Sequence, residues 1–364
     1  MKITVKKDNL QKALQKVSGI INTRTTLPIL SNVLFEAEDN KLKLTTTDLE
    51  MRISTVVEAT VEISGSTTIP ARKILSIVGK FNNEEVNIST NDKHHSTIIC
   101  GTSNIKLLGL SGEDFPPVVD FDSVKQISFK QNVFAKIIEQ IAYAVSLDDS
   151  RKVLHGILFS IADNTFTAVA TDGKRLALVE KVAENFSGEE GDTIVPLKTA
   201  TEVKRILEKD GEVSISIGEK MAQFTTDEVC LTTKLIEGNY PNYRQVIPQN
   251  FSRQIEIPRN DFIAKLELVA ITLSDSSSFI KVVFENNKLV LEGSSSSVGE
   301  GRDYLDIDYD DERIEISFNP VFLADPFRHS TADNVIVRMN DGVSPVAIEG
   351  GEGFLYVIMP LRNK

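Results

Sequence analysis

Apolar residues along this chain alternate between two periods, and the two periods succeed one another in the same order three times. Leu10, Leu14, Val17 and Ile21 recur at helical spacing, as do Val133, Ile137, Ile141 and Val145, and again Phe262, Leu266, Val269 and Leu273. Steps of three and four residues place each set on one helix face. After each stripe comes a strand carrying Leu34-Phe35, Leu158-Phe159 or Val283-Phe284, separated by offsets of 124 and 125 residues. A polar turn follows (Asp39-Asn40, Asp163-Asn164, Asn286-Asn287), then a second strand in which Leu42 corresponds to Phe166 and Leu289, and Thr47-Asp48 to Thr171-Asp172. Each repeat therefore opens strand, helix, strand, strand.

The second half of each repeat begins at Ile69-Pro70, Val195-Pro196 or Asn319-Pro320, where proline suits the first turn of a helix. Ile74, Ile77, Val78 and Phe81 form the buried stripe of that helix, and alternating strands such as Val86-Asn87-Ile88-Ser89 follow. A period near 125 residues is far longer than a solenoid unit, so each repeat is expected to bury its own core. The expected domains are 1–122, 123–251 and 252–364, in an α+β class with helices on one face of antiparallel sheets. Pro326, inside the last predicted helix, is expected to bend or end it.

Composition fits a globular chain of 364 residues with 41% hydrophobic residues and a net charge of -12. That charge alone argues against a protein coating nucleic acid or anionic membrane. Its distribution changes the picture. The six predicted helical segments together carry +8, which leaves -20 for the rest. An acidic protein whose helices face one way would present a basic face. Cys100 and Cys230 are isolated thiols without metal or disulfide spacing. No segment has a signal-peptide or membrane-spanning pattern, so a cytoplasmic protein without membrane partners is expected.

Enzyme motifs are missing. The chain has no GxSxG, HExxH or GxGxxG, and the Asp306 to Asp311 run lacks the glycine and glutamate of a calcium loop. No catalysis, metal or cofactor is expected. The stretch TDGKRLAL (171–178) superficially resembles a phosphate loop, but Ala168 stands where its first glycine should fall and Arg175 replaces its hydroxyl residue. Repeat one reads Thr47-Asp48-Leu49-Glu50-Met51 at the same place, so the glycine and both cations belong to repeat two alone.

The stretches TTLPILSNVLFE (25–36), ATDGKRLAL (170–178), EGNYPNYRQVIP (237–248) and YVIMPLR (356–362), with the threefold repeat, resemble the bacterial replicative sliding clamps, the beta subunits of DNA polymerase III holoenzyme. The resemblance covers the whole chain. It implies a head-to-tail homodimer closed into a ring around duplex DNA, bound without sequence preference, with basic helices lining the hole. The implied DNA contacts are Arg24, Arg72, Lys198, Lys204 and Arg205. The implied joint between subunits pairs Lys73, Ile77, Phe81 and Ile105 with Ile271 and Leu273. A groove for short peptides of the polymerase alpha subunit, the clamp loader, other polymerases and repair proteins is implied at Leu154, Thr171, Gly173, Arg175, Leu176, Pro241 and Val246, with Val343, Val357, Met359, Pro360, Leu361 and Arg362. Pro345 departs from the small polar residue expected on its rim. A three-domain scaffold or adhesin that never touches DNA would need the repeats but neither the helical charge bias nor the groove.

Overall fold

The computed structural model describes residues 1–22, 25–148, 150–274 and 279–362. The described residues form six α-helices, α1 Lys7–Val17, α2 Ala71–Val78, α3 Gln131–Ile141, α4 Leu197–Ile206, α5 Arg259–Ala270 and α6 Pro320–His329, of which α1, α2, α3 and α5 follow the predicted stripes. The stripes run slightly further than the helices. Ile21, Val145 and Leu273 lie beyond the last turns, where α1 and α3 tighten into short 3₁₀ turns. Leu10, Leu14 and Val17 of α1 are fully buried, and each such side chain contributes about 1.5–3 kcal/mol by leaving water.

The three hairpins after these helices share one turn. Asp39-Asn40, Asp163-Asn164 and Asn286-Asn287 all have both φ angles positive, between 48° and 59°. Pairing closes directly around them at Glu38↔Lys41, Ala162↔Thr165 and Glu285↔Lys288. Two left-handed residues make the turn whose twist matches paired strands, and Asn and Asp tolerate that conformation best.

Two compact units emerge: residues 1–135, 185–189 and 201–235 form the first, and 136–184, 190–200 and 236–364 the second. Their division cuts through the second repeat instead of following the repeats. The cause is strand pairing across repeat ends. In the first unit a nine-stranded sheet runs on from repeat two into repeat one because Val229–Lys234 pairs with Met51–Glu58, for example Leu231↔Ile53. In the second, an eight-stranded sheet runs from repeat two into repeat three through Arg175–Val182 and Phe354–Ile358, with Ala177 opposite Tyr356. A five-stranded sheet completes the first unit and a four-stranded sheet the second. Every strand pair is antiparallel, and pairing the end strands of neighbouring repeats hides edges that would otherwise be exposed.

Pro326 does not end α6. The helix passes through it to His329. Its missing N–H leaves the Phe322 carbonyl without the usual donor four residues on, and the Tyr356 hydroxyl donates to that oxygen instead, at 2.8 Å. Tyr356 is fully buried, so the substitution of one donor for another happens away from water.

Candidate functional site

TDGKRLAL begins with a turn held by its own first two side chains. Asp172 Oδ1 accepts from the backbone N–H groups of Lys174 (2.9 Å) and Arg175 (3.0 Å), while the Thr171 hydroxyl accepts from Gly173 N (3.1 Å) and donates to Arg175 O (2.6 Å). Gly173 has φ +85°, and a Cβ there would meet only Arg151 Nη1, at 3.0 Å. Glycine is thus favoured by conformation more than by crowding. No ring of N–H groups is free to cradle a phosphate, because these donors are already satisfied within the turn.

Arg175 is held against several neighbours of this turn. Its side chain is only 10% exposed, ion-paired through Nη1 with Asp325 and through Nε with Asp172 at 3.1 Å, and Nη2 donates to Tyr143 O at 2.6 Å. The guanidinium lies over the Phe322 ring, 4.0 Å from its centroid. Burial pulls the guanidinium down, but Tyr356, Asp325 and Asp172 outweigh it and hold it above the usual arginine range. Arg175 is therefore a rivet between the turn, the segment after α3 and α6, with its guanidinium engaged on all three. Sequence reasoning missed Asp172 and Asp325, its anionic partners.

Beside the turn lies an apolar cluster of Leu158, Val169, Leu176, Leu178, Ile194, Tyr243 and Val357, with Val153, Ile236, Tyr240, Ile247 and Leu355 packed against it. Leu154, Leu176 and Val357 are buried, at 4%, 2% and 2% exposure, Leu176 and Val357 within this cluster. The exposed apolar groups are Val246, Val343, Met359 and Leu361, from 40% to 67% accessible. The chain after the last strand is fastened so that these groups are fixed: Met359 N donates to Lys174 O (3.0 Å) and Leu361 N to Ser317 O (2.8 Å). Asp341 Oδ1 accepts from Val343 N (2.9 Å) and Ser344 N (2.6 Å), a turn that presents Val343 just before Pro345. Pro241, Leu361 and Arg362 are exposed and Pro360 half-buried. Tyr240 and Tyr243, also in the EGNYPNYRQVIP stretch, belong to this packing, Tyr243 within the cluster and Tyr240 against it, and burial pushes both phenols up.

The basic helix residues divide. Arg72, Lys198 and Lys204 are exposed on α2 and α4. Arg205 is engaged, with Nε 3.0 Å from Glu202 Oε1 and Nη1 donating to Gln15 O at 3.1 Å, while Nη2 donates to Lys16 O. It thereby satisfies carbonyls at the C-terminal end of α1. This close approach is permitted by Gly19, where a Cβ would lie 2.1 Å from Glu202 Oε1. Lys16, off the apolar stripe of α1, pairs with Glu208 (2.8 Å) and Glu228. Arg24 lies outside the described residues. Of the joint residues, Lys73 is exposed, Ile77 and Ile105 are half-buried and Ile271 is 71% exposed, but Phe81 is 7% exposed and belongs to its own core. Leu273 lines a cleft of about 420 Å³ between α5 and α6 with Leu266, Ala270 and Val321.

Family models for the DNA polymerase III beta subunit match the chain in order: the N-terminal domain over residues 1–120, the central domain over 128–242 and the C-terminal domain over 244–362. The chain belongs to the DNA polymerase III beta subunit family. It is 32% identical over 362 residues to the beta sliding clamp of Chlamydia muridarum, covering 100% of this chain and 99% of that one. It is 31% identical to that of Vibrio cholerae, with full coverage of both. The crystal structure of a DNA polymerase III beta subunit from Pseudomonas aeruginosa bound to griselimycin superposes with a TM-score of 0.95 at 30% identity, again over all of both chains. The fold is thus three tandem clamp domains, and the function that of a DNA sliding clamp in replication.

Proposed function

We propose that this sliding clamp closes as a head-to-tail homodimer around duplex DNA and tethers the replicative polymerase, the clamp loader and repair proteins through the groove beside TDGKRLAL. What supports the groove is the presence in the second unit of exposed apolar groups, Val246, Met359 and Leu361 with Val343, the first three close in sequence to Tyr243 and Val357 of the buried cluster that also holds Leu176. Two apolar side chains of an extended peptide would be buried there while the riveted turn keeps the wall in place. Methionine suits a site that receives several partners. The three clamp domains of this chain are read as 1–122, 123–251 and 252–364, and no chemistry is assigned to the clamp itself.

DNA contact is assigned to Arg72, Lys198 and Lys204, with Arg24, while Arg205 acts by positioning α1. Contacts of this kind neutralise phosphate without reading bases. The joint is assigned to α5, Ile271 and Leu273 against α2 and the strand Ser103–Leu108, which is an edge of its sheet. The test is retention on nicked circular DNA after loading, measured across a salt series for wild type and for K198E/K204E. Weaker retention with a shallower salt dependence supports the assignment, and unchanged retention contradicts it. For the joint, I271A/L273A should sediment as a monomer; a persistent dimer would place the joint elsewhere.

A further inference from the structure

The first compact unit contains a second cleft, of about 320 Å³, built on the repeat-one counterpart of the TDGKRL turn. Its turn has the same bonds. Asp48 Oδ1 accepts from Glu50 N (3.0 Å) and Met51 N (2.7 Å), and the Thr47 hydroxyl accepts from Leu49 N (3.1 Å). At the position of Gly173, however, stands Leu49, with φ +76° and 46% exposure. A leucine held in the left-handed region and turned outward is an uncommon arrangement, of the kind found at ligand clamps. Val118 and Val119 face the same cleft, at 58% and 61% exposure.

The floor is chemically unlike that of the second unit. At the repeat offset, Arg52 replaces Leu176, Thr232 replaces Val357 and Lys234 replaces Met359. Arg52 donates to Pro116 O and lies 5.5 Å over the Phe115 ring. Neither partner is an anion, and burial holds its guanidinium below the usual arginine range with only Glu36 opposing. Lys234 pairs with Glu50 at 3.2 Å on the exposed rim. Among the residues lining the cleft, Arg52 and Lys234 stand against the single carboxylate of Glu50, with Glu36 near enough to act on Arg52.

We infer that the cleft docks an extended peptide of a partner protein in which a carboxylate lies next to an apolar residue, the carboxylate meeting Arg52 and the apolar side chain resting on Leu49 and Val118. A neutral apolar peptide would leave Arg52 desolvated without an anion, so the chemistry selects acidic motifs. The inference does not rest on the groove in the second unit, because separate side chains report on each.

The test is methyl NMR on the full-length clamp, titrated with acetyl-Ala-Glu-Leu-Asp-Leu-Ala-amide and with its isostere carrying Gln and Asn for Glu and Asp. The acidic peptide should shift the Leu49, Val118 and Val119 methyls saturably, and the isostere should bind roughly tenfold or more weakly, as loss of a charged hydrogen bond implies. Arg52→Gln and the exposed Lys234→Gln should each weaken the acidic peptide, and Leu49→Gly should weaken both peptides without lowering Tm. The inference is overturned by no shift at these methyls, by equal affinity for both peptides, or by binding indifferent to both cation variants. Shifts that depend on clamp concentration alone would assign the cleft to a second copy and also overturn it. Movement confined to Val246, Val343 and Met359 would leave the other groove standing and this one refuted.

Discussion

Residues 47–52 and 171–176 fold into one turn twice, with the same Thr hydroxyl and Asp carboxylate bonds, and yet they hold different things in place. In the first unit Met51 is simply buried. In the second the corresponding Arg175 reaches Asp325, 150 residues away, and carries the turn's position into α6. Thr and Asp therefore specify backbone, and the three residues after them specify what the turn is attached to and what it shows to solvent. Repeat three keeps only the hydroxyl part: Ser295 Oγ accepts from Ser297 N at 3.3 Å.

The largest effect should come from breaking that attachment. Arg175→Ala leaves the Asp325 carboxylate buried without its cation and should cost about 3–5 kcal/mol in urea unfolding. Met51→Ala, a cavity without an orphaned charge, should give a loss insensitive to a second change at Asp325. If R175A and R175A/D325L lose equal stability, the rivet account is wrong. Next in size is Tyr356→Phe, which removes the donor to Phe322 O and should cost about 1–3 kcal/mol, the penalty for an unsatisfied buried carbonyl. Pro326→Ala restores the helix N–H, so the double variant Y356F/P326A should recover most of that loss; additive losses would show that the hydroxyl is no substitute donor. Smallest is the turn itself. Gly173→Ala should destabilise by about 1–2 kcal/mol, since a Cβ opposes its positive φ, and Leu49→Gly should be neutral or stabilising in the same melt.

Local pattern made much of this legible. The helices, the three two-residue hairpins and the repeat period are written in neighbouring residues, and the Thr-Asp turn in a tetrapeptide. What stayed hidden depends on partners far along the chain. Nothing near Arg175 announces its ion pair with Asp325, and nothing near Pro326 announces that Tyr356 supplies a donor to Phe322 O and that the helix continues past the proline. Phe81, expected at the joint, is only 7% exposed, a burial that an apolar residue at a helix end does not announce. The compact units were also unreadable, since pairing between repeat ends is a property of exposed edges that meet only in the folded chain.

The central claim, that the second unit's groove holds partner peptides, is tested most directly by calorimetric titration of a Gln-x-x-Leu-Phe-type peptide into the wild-type clamp and into M359A/L361A, whose substituted side chains are exposed. Burying two apolar side chains at about 1.5–3 kcal/mol each, less the cost of ordering the peptide, predicts micromolar binding to wild type. Loss of that binding in the variant, with dimer and melting temperature unchanged, is the predicted result. Equal affinity for both proteins would contradict the account.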